Sequence, residues 1–120
     1  MARILLADDD QVSRDLVRRA LETEGHSVVT VEDGSDALAA LQSGAGFDVV
    51  VTDVQMPGLD GISLAEQALL RAPGTRLVLM SGYLNLLEKA RTLPAKHLRL
   101  MTKPFTIDAI RAEIRAILAG

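Results

Sequence analysis

An α/β fold, a five-stranded parallel sheet doubly wound by helices, is predicted by three features of this sequence. Short, nearly all-apolar runs alternate with segments of helical apolar spacing along the whole chain. The clearest runs, such as "DVVVT", are continuous rather than alternating, as strands buried on both faces are. Carboxylates, a hydroxyl and a lysine stand where successive runs end, and ligands bind at the carboxyl edge of such sheets.

In chain order, "RILLA" (Arg3–Ala7) reads as a buried strand. From Asp10 to Glu24, Val12, Leu16, Val17, Ala20 and Leu21 recur at helical spacing, and Gly25 stops the helix. "SVVTV" (Ser27–Val31) is rich in β-branched residues and reads as a strand. "DGSDALAALQSG" predicts a second helix, with Ser35 as N-cap and Gly44 as stop. "DVVVT" (Asp48–Thr52) is the third strand. After "MPGLDG", Ile62–Arg71 is helical and ends at Pro73-Gly74. "RLVLM" (Arg76–Met80) is a strand, Leu84–Leu93 a weaker helix closed by Pro94, and "HLRLM" (His97–Met101) a short strand. Leu84, Leu86, Leu87 and Leu93 do not fit one helix face, so an exposed leucine is expected there. Ile107, Ile110, Ile114, Ile117 and Leu118 form one stripe on the last helix, which Thr106 caps.

At 120 residues the chain is expected to be one domain, residues 1–120, with no output domain. Its aromatics are Phe47, Tyr83 and Phe105, so the core must be aliphatic. The net charge of −3 and the lack of a basic block argue against nucleic acid, and no DNA partner is expected. No run has the apolar length to span a bilayer, and "MARILLADDD" is too acidic for a signal peptide. With no cysteine, disulfides and thiolate chemistry are excluded, and a cytoplasmic protein without membrane contact is expected. His26 and His97 lack metal-ligand spacing and read as surface residues.

The stretch "LLADDDQ" places Asp8, Asp9 and Asp10 together at a strand end. Two carboxylates about 4 Å apart repel by roughly 4 kcal/mol at an effective dielectric of about 20. Asp53 ends the third strand, Ser81-Gly82 follow the fourth and Lys103-Pro104 the fifth. Parallel strands bring these groups to one edge. A hard divalent cation would neutralise Asp8, Asp9 and Asp53, and an oxygen-only ligand set favours Mg²⁺. Alternatively the first-strand aspartates cap the helix that follows, a role that suits Asp10 best. Asp53 either opens the "MPG" turn or serves as a nucleophile forming an aspartyl phosphate, with Mg²⁺ and Lys103 neutralising the phosphoryl oxygens. Ser81 either caps a helix or donates to a phosphoryl oxygen.

The stretches "ADDD", "VVVTDVQMPGLDG", "LVLMSGY" and "TKPF" resemble the receiver domain of two-component response regulators, the CheY-like family, over essentially the whole chain. The resemblance implies a flavodoxin-like (βα)5 fold with strand order 2-1-3-4-5. It implies that Asp53 accepts phosphate from a sensor histidine kinase or a histidine phosphotransfer protein. Asp9 and Asp53 would ligate Mg²⁺ directly, Asp8 through water, and Gln55 through its backbone carbonyl. Ser81 and Lys103 would bind the phosphoryl group, with Gln55 and Tyr83 tuning its hydrolysis. The output would be altered binding of a downstream protein through the face of the fourth helix, fifth strand and fifth helix. A monomer or a weak phosphorylation-dependent dimer is expected. One departure stands out: Leu100 occupies the usual Tyr or Phe switch position, which shifts the expected output mechanism toward the Ser81 loop, Tyr83 and the fourth helix.

Two alternatives remain at the level of sequence. One is a small Mg²⁺-dependent phosphatase with its aspartyl nucleophile in the first-strand cluster, whose Asp8 and Asp10 have "DxD" spacing. The other is a degenerate receiver used as a scaffold.

Overall fold

The computed structural model describes residues 1–120. Its elements in chain order are β1 (Arg3–Ala7), α1 (Gln11–Glu22), β2 (Ser27–Val31), α2 (Gly34–Gln42), β3 (Val49–Asp53), α3 (Gly61–Arg71), β4 (Arg76–Ser81), α4 (Leu84–Ala90), β5 (His97–Thr102) and α5 (Ile107–Ala119). All five strands are parallel, in the order β2-β1-β3-β4-β5.

Strand side chains alternate between two aliphatic layers. Ile4, Leu6, Val49, Val51, Val78, Met80 and Met101 pack with Val17 and Leu21 of α1 and Ile110, Ile114 and Ile117 of α5. Leu5, Ala7, Val50, Leu77 and Leu79 pack on the opposite face with Ala37 of α2, Leu64 and Ala68 of α3, and Leu87 of α4. The central strands are apolar throughout because both faces are covered. Each fully buried Leu or Ile contributes about 1.5–3 kcal/mol. No helix is long and apolar enough to cross a membrane.

Several details depart from expectation. Val12 and Leu16 share the helical spacing of α1, yet they are 77% and 41% exposed. The apolar stripe of α1 is wider than the surface it packs against. α2 is capped by Asp33, not Ser35: the Asp33 carboxylate accepts the Asp36 N–H at 2.8 Å. β3 begins at Val49 and includes Asp53, while Asp48 accepts the Arg3 N–H at 2.8 Å from outside the strand. α4 stops at Ala90, short of Leu93, which is buried beyond the helix end. Leu84 is 69% exposed, the unplaced leucine of that segment.

Two glycines allow backbone to touch backbone under the β3–α3 connection. A Cβ on Gly34 would lie 1.8 Å from the Leu59 carbonyl oxygen, and one on Gly61 would lie 2.1 Å from that of Asp53. The Gly61 N–H also donates to Val54 O at 2.8 Å, so the residue after Asp53 is held to the start of α3. Gly61→Ala is therefore expected to destabilise the protein by about 1–3 kcal/mol in urea unfolding. Gly74→Ala, with no heavy atom within 4 Å of the added carbon, is expected to stay within about 0.5 kcal/mol of the parent.

Candidate phosphoryl-acceptor site

The order of strands reverses at β1, whose neighbours are β2 and β3, and the carboxyl ends of β1 and β3 border the crevice where such sheets bind ligands. The side-chain alternation continues into that crevice. Leu6, Val51 and Met101 all face the α1–α5 layer, and counting on by two from each reaches Asp8, Asp53 and Lys103. Ladder bonds hold the strand ends in place: Asp8 N–H donates to Val31 O at 3.2 Å, Val54 N–H to Met80 O at 2.9 Å, and Lys103 N–H to Ser81 O at 2.8 Å.

Lys103 is the centre of the cluster. Its Nζ donates to Asp8 Oδ2 at 2.9 Å and to Asp53 Oδ2 at 3.0 Å, joining β1, β3 and β5. Asp8 is fully buried, and its Oδ1 accepts the Asp10 N–H at 3.0 Å. Asp9 is exposed. One carboxylate oxygen from each of Asp8, Asp9 and Asp53 lies within 4.8 Å of the others. Three oxygen donors at that spacing, with no sulfur or nitrogen ligand beside them, suit a hard divalent cation.

Burial pushes the Asp53 carboxyl above its ordinary range; the Lys103 bond and charge pull it back, and Asp8 and Asp9 push it up again, leaving a net rise. Burial pulls the Lys103 ammonium down, but its bonds to Asp8 and Asp53 outweigh this, and it too ends up raised. An isolated Lys–Asp pair would lower the acid. Here burial and two like charges outweigh the lysine, so the Asp53 carboxyl stays raised despite the ion pair.

The other expected residues fall into two groups. Gln55 is exposed and lines a cavity of about 440 Å³ with Asp9, Met56, Ile62, Leu86 and Lys89. Ser81 is buried one register step beyond Met80, the strand partner of Asp53, and its hydroxyl oxygen accepts the Tyr83 N–H at 3.1 Å. It tightens the β4–α4 turn and does not cap α4 at its first position, which Tyr83 occupies. Tyr83 is 60% exposed. Leu100 is half-buried against the α2–α3–α4 layer.

Asp10 lies outside the cluster: it caps α1, its Oδ1 accepting the Val12 N–H at 3.2 Å. The "DxD" spacing therefore does not bring two carboxylates to one centre. Asp8, held by Lys103 and the Asp10 amide, is poorly placed as a nucleophile. Arg14 was not anticipated from the sequence. It lies one turn into α1 and donates from Nη1 to Asp8 O at 2.8 Å.

A family described as the response regulator receiver domain matches residues 4–115. The transcriptional regulatory protein TcrA of Mycobacterium tuberculosis is 34% identical over 115 residues, covering 96% of this chain and 45% of that protein. The chain thus spans about half the length of the curated relatives it matches. A response regulator receiver protein from Sinorhizobium medicae superposes with a TM-score of 0.89 at 29% identity, covering 98% of this chain and 94% of that one. The chemotaxis response regulator CheY4 of Vibrio cholerae superposes at 0.84 with 24% identity over 98% of both chains, which shows the CheY-like fold alone.

The TcrA relationship corrects the expectation of no DNA partner. That expectation came from the acidic balance of 120 residues, and such a charge describes only the surface of this segment. A relative more than twice as long as the aligned region is a transcriptional regulator, so the charge of the aligned half does not exclude DNA. With the fold, the strand order and the family match over residues 4–115 in agreement, this chain belongs to the response regulator receiver domain family of two-component signalling.

Proposed function

We propose that Asp53 is the phosphoacceptor of a phosphorylation-gated signalling switch. The observation that carries this reading is the convergence of Asp8, Asp9 and Asp53 around one lysine at the sheet's carboxyl edge. Lys103 engages Oδ2 of Asp53, which leaves Oδ1 to attack. An Oδ–P bond forms as the P–N bond of a phosphohistidine donor breaks. The electron pair departs with the imidazole nitrogen. Lys103 then neutralises the phosphoryl oxygens, and the Ser81 hydroxyl donates a hydrogen bond to one of them. Asp9 and Asp53 would hold Mg²⁺ directly, Asp8 through water and Gln55 through its backbone carbonyl. The bound ion would offset charge on the transferring phosphoryl group. Hydrolysis of the aspartyl phosphate by water resets the switch, with Gln55 and Tyr83 tuning its rate.

Donor access has support from the exposed side of α1. Val12, Ser13 and Leu16 line a cleft of about 330 Å³ together with Lys103, Pro104 and Phe105. The two exposed apolar residues of α1 thus stand beside the lysine that holds Asp53. A sensor histidine kinase or histidine phosphotransfer protein docking there would bring its phosphohistidine to the acceptor. Output proceeds through α4, β5 and α5, where Tyr83 and Leu84 are exposed. Because Leu100 has no ring to swing, the β4–α4 turn held by Ser81 carries the rearrangement.

Incubation with acetyl phosphate and Mg²⁺ is expected to label Asp53, as read by mass spectrometry. Asp53→Asn abolishes the label; labelling at Asp8 with turnover of small phosphate esters would establish the phosphatase reading instead. Leu16→Asp is expected to slow transfer from a phosphohistidine donor at least about fivefold, while acetyl phosphate labelling stays unchanged.

The raised Asp53 carboxyl makes a stability prediction of definite sign. A raised acid binds its proton more tightly when folded. Its ionisation therefore weakens the fold as pH rises through the raised value, and the effect vanishes below the ordinary Asp range near 3.8. In metal-free buffer at pH 7, Asp53→Asn is expected to raise Tm, and acidification should shrink the gain. Mg²⁺ should raise the Tm of the parent and leave that of the variant nearly unchanged.

A further inference from the structure

We propose that Arg14 is a positioning residue for the cation site: its guanidinium fixes the Asp8–Asp9 peptide so that both carboxylates face Asp53. The inference rests on the reading of Asp8, Asp9 and Asp53 as a divalent-cation site.

Arg14 sits in an unfavourable place for a cation. It lies at the N-terminal end of α1, where the helix dipole is positive, and its side chain is only 15% exposed. Something must offset both penalties. Its contact with Glu32 does little, because the two charges are 4.0 Å apart and Glu32 is 70% exposed. The remaining partner is Asp8 O, accepting from Nη1 at 2.8 Å.

That bond controls a specific degree of freedom. The Asp8 carbonyl and the Asp9 N–H belong to one planar peptide unit, so the direction of the carbonyl sets where the chain leaves Asp8 and enters Asp9. Asp8 has other anchors: its N–H donates to Val31 O, and its carboxylate takes Lys103 and the Asp10 amide. Asp9 is exposed, and no protein group donates a hydrogen bond to its carboxylate. The position of Asp9 is therefore inherited from the peptide that Arg14 holds. Groups that orient metal ligands without touching the metal commonly alter affinity by about 10–100-fold.

The alternative is that Arg14 acts only as a nearby positive charge, and the two ideas predict opposite signs. A cation beside three carboxylates repels Mg²⁺, so deleting it should tighten binding. A residue that holds the ligands in place should weaken binding when removed.

The test is calorimetric titration of the full chain with Mg²⁺ alone. Arg14→Met is expected to raise Kd about tenfold, and Arg14→Lys, which retains a donor for the carbonyl, to restore most of the affinity. In the metal-free protein, the amide resonances of Asp9 and Asp10 should shift in R14M and stay near their parental positions in R14K. If R14M does not fold, R14Q, whose side chain is two atoms shorter than arginine, is expected to show the same loss. Unchanged or tighter binding in the Met variant (or in R14Q, where R14M does not fold) overturns the role of Arg14 while the parent still binds. A parent chain that fails to bind Mg²⁺ overturns the cation site itself and this inference with it.

Discussion

One ammonium among three carboxylates is the constraint on which this molecule turns. Lys103 reaches from the end of β5 to Asp8 on β1 and to Asp53 on β3. It cannot neutralise Asp9 as well, so the group keeps excess negative charge. The Asp53 carboxyl is raised first by its burial, and the like charges of Asp8 and Asp9 add to the rise. Three carboxylates sharing one ammonium favour a cation between them, and the proposed phosphoryl chemistry rests on that excess charge. In the proposed reaction Lys103 must give up part of its present bonding to meet the new anion. The contacts that hold the resting cluster together are thus the ones a modification would redistribute.

The fold makes such a cluster tolerable by putting its strain on rigid supports. β1, β3 and β4 are apolar and covered on both faces, so their ends have little freedom to relax away from each other. Ladder bonds continue one residue past the strands at Asp8 and Lys103. Below Asp53, the chain turns into α3 through direct backbone contact at Gly61. Stability is concentrated in the two aliphatic layers, and part of it is spent at the carboxyl edge, a common trade between fold and function. α1 has a double part: one face packs on the sheet, while Arg14 reaches back to the loop and Leu16 faces outward.

Much of this was legible in the chain itself. The five apolar runs and five helical segments were assigned in the right order because the burial of each element is written in its periodicity. Misplacements came where a local signal had two equally good readings. Asp33 and Ser35 are both good N-caps, and the choice depended on Gly34 fitting against Leu59, a contact distant in sequence. Val12 and Leu16 match the helical period as well as Val17 does, but only the sheet decides how wide a stripe it covers. The charge of the chain was read too far: it describes this segment's surface and not what a longer relative contacts.

For the cluster, residue types and strand-end positions were enough to nominate Asp8, Asp9, Asp53, Ser81 and Lys103, since period-two alternation and parallel strands are local rules. What the sequence by itself determined was the alternation of elements, the aliphatic core and the set of polar groups at one edge. The capping of α1 by Asp10 was legible too; only the tertiary structure decided that Ser81 ties the β4–α4 turn, that Asp8 is buried, and that Arg14 reaches the Asp8 carbonyl. The reason is physical. Periodicity records which face of an element is covered, whereas hydrogen bonds between elements depend on distances that exist only after the layers have packed.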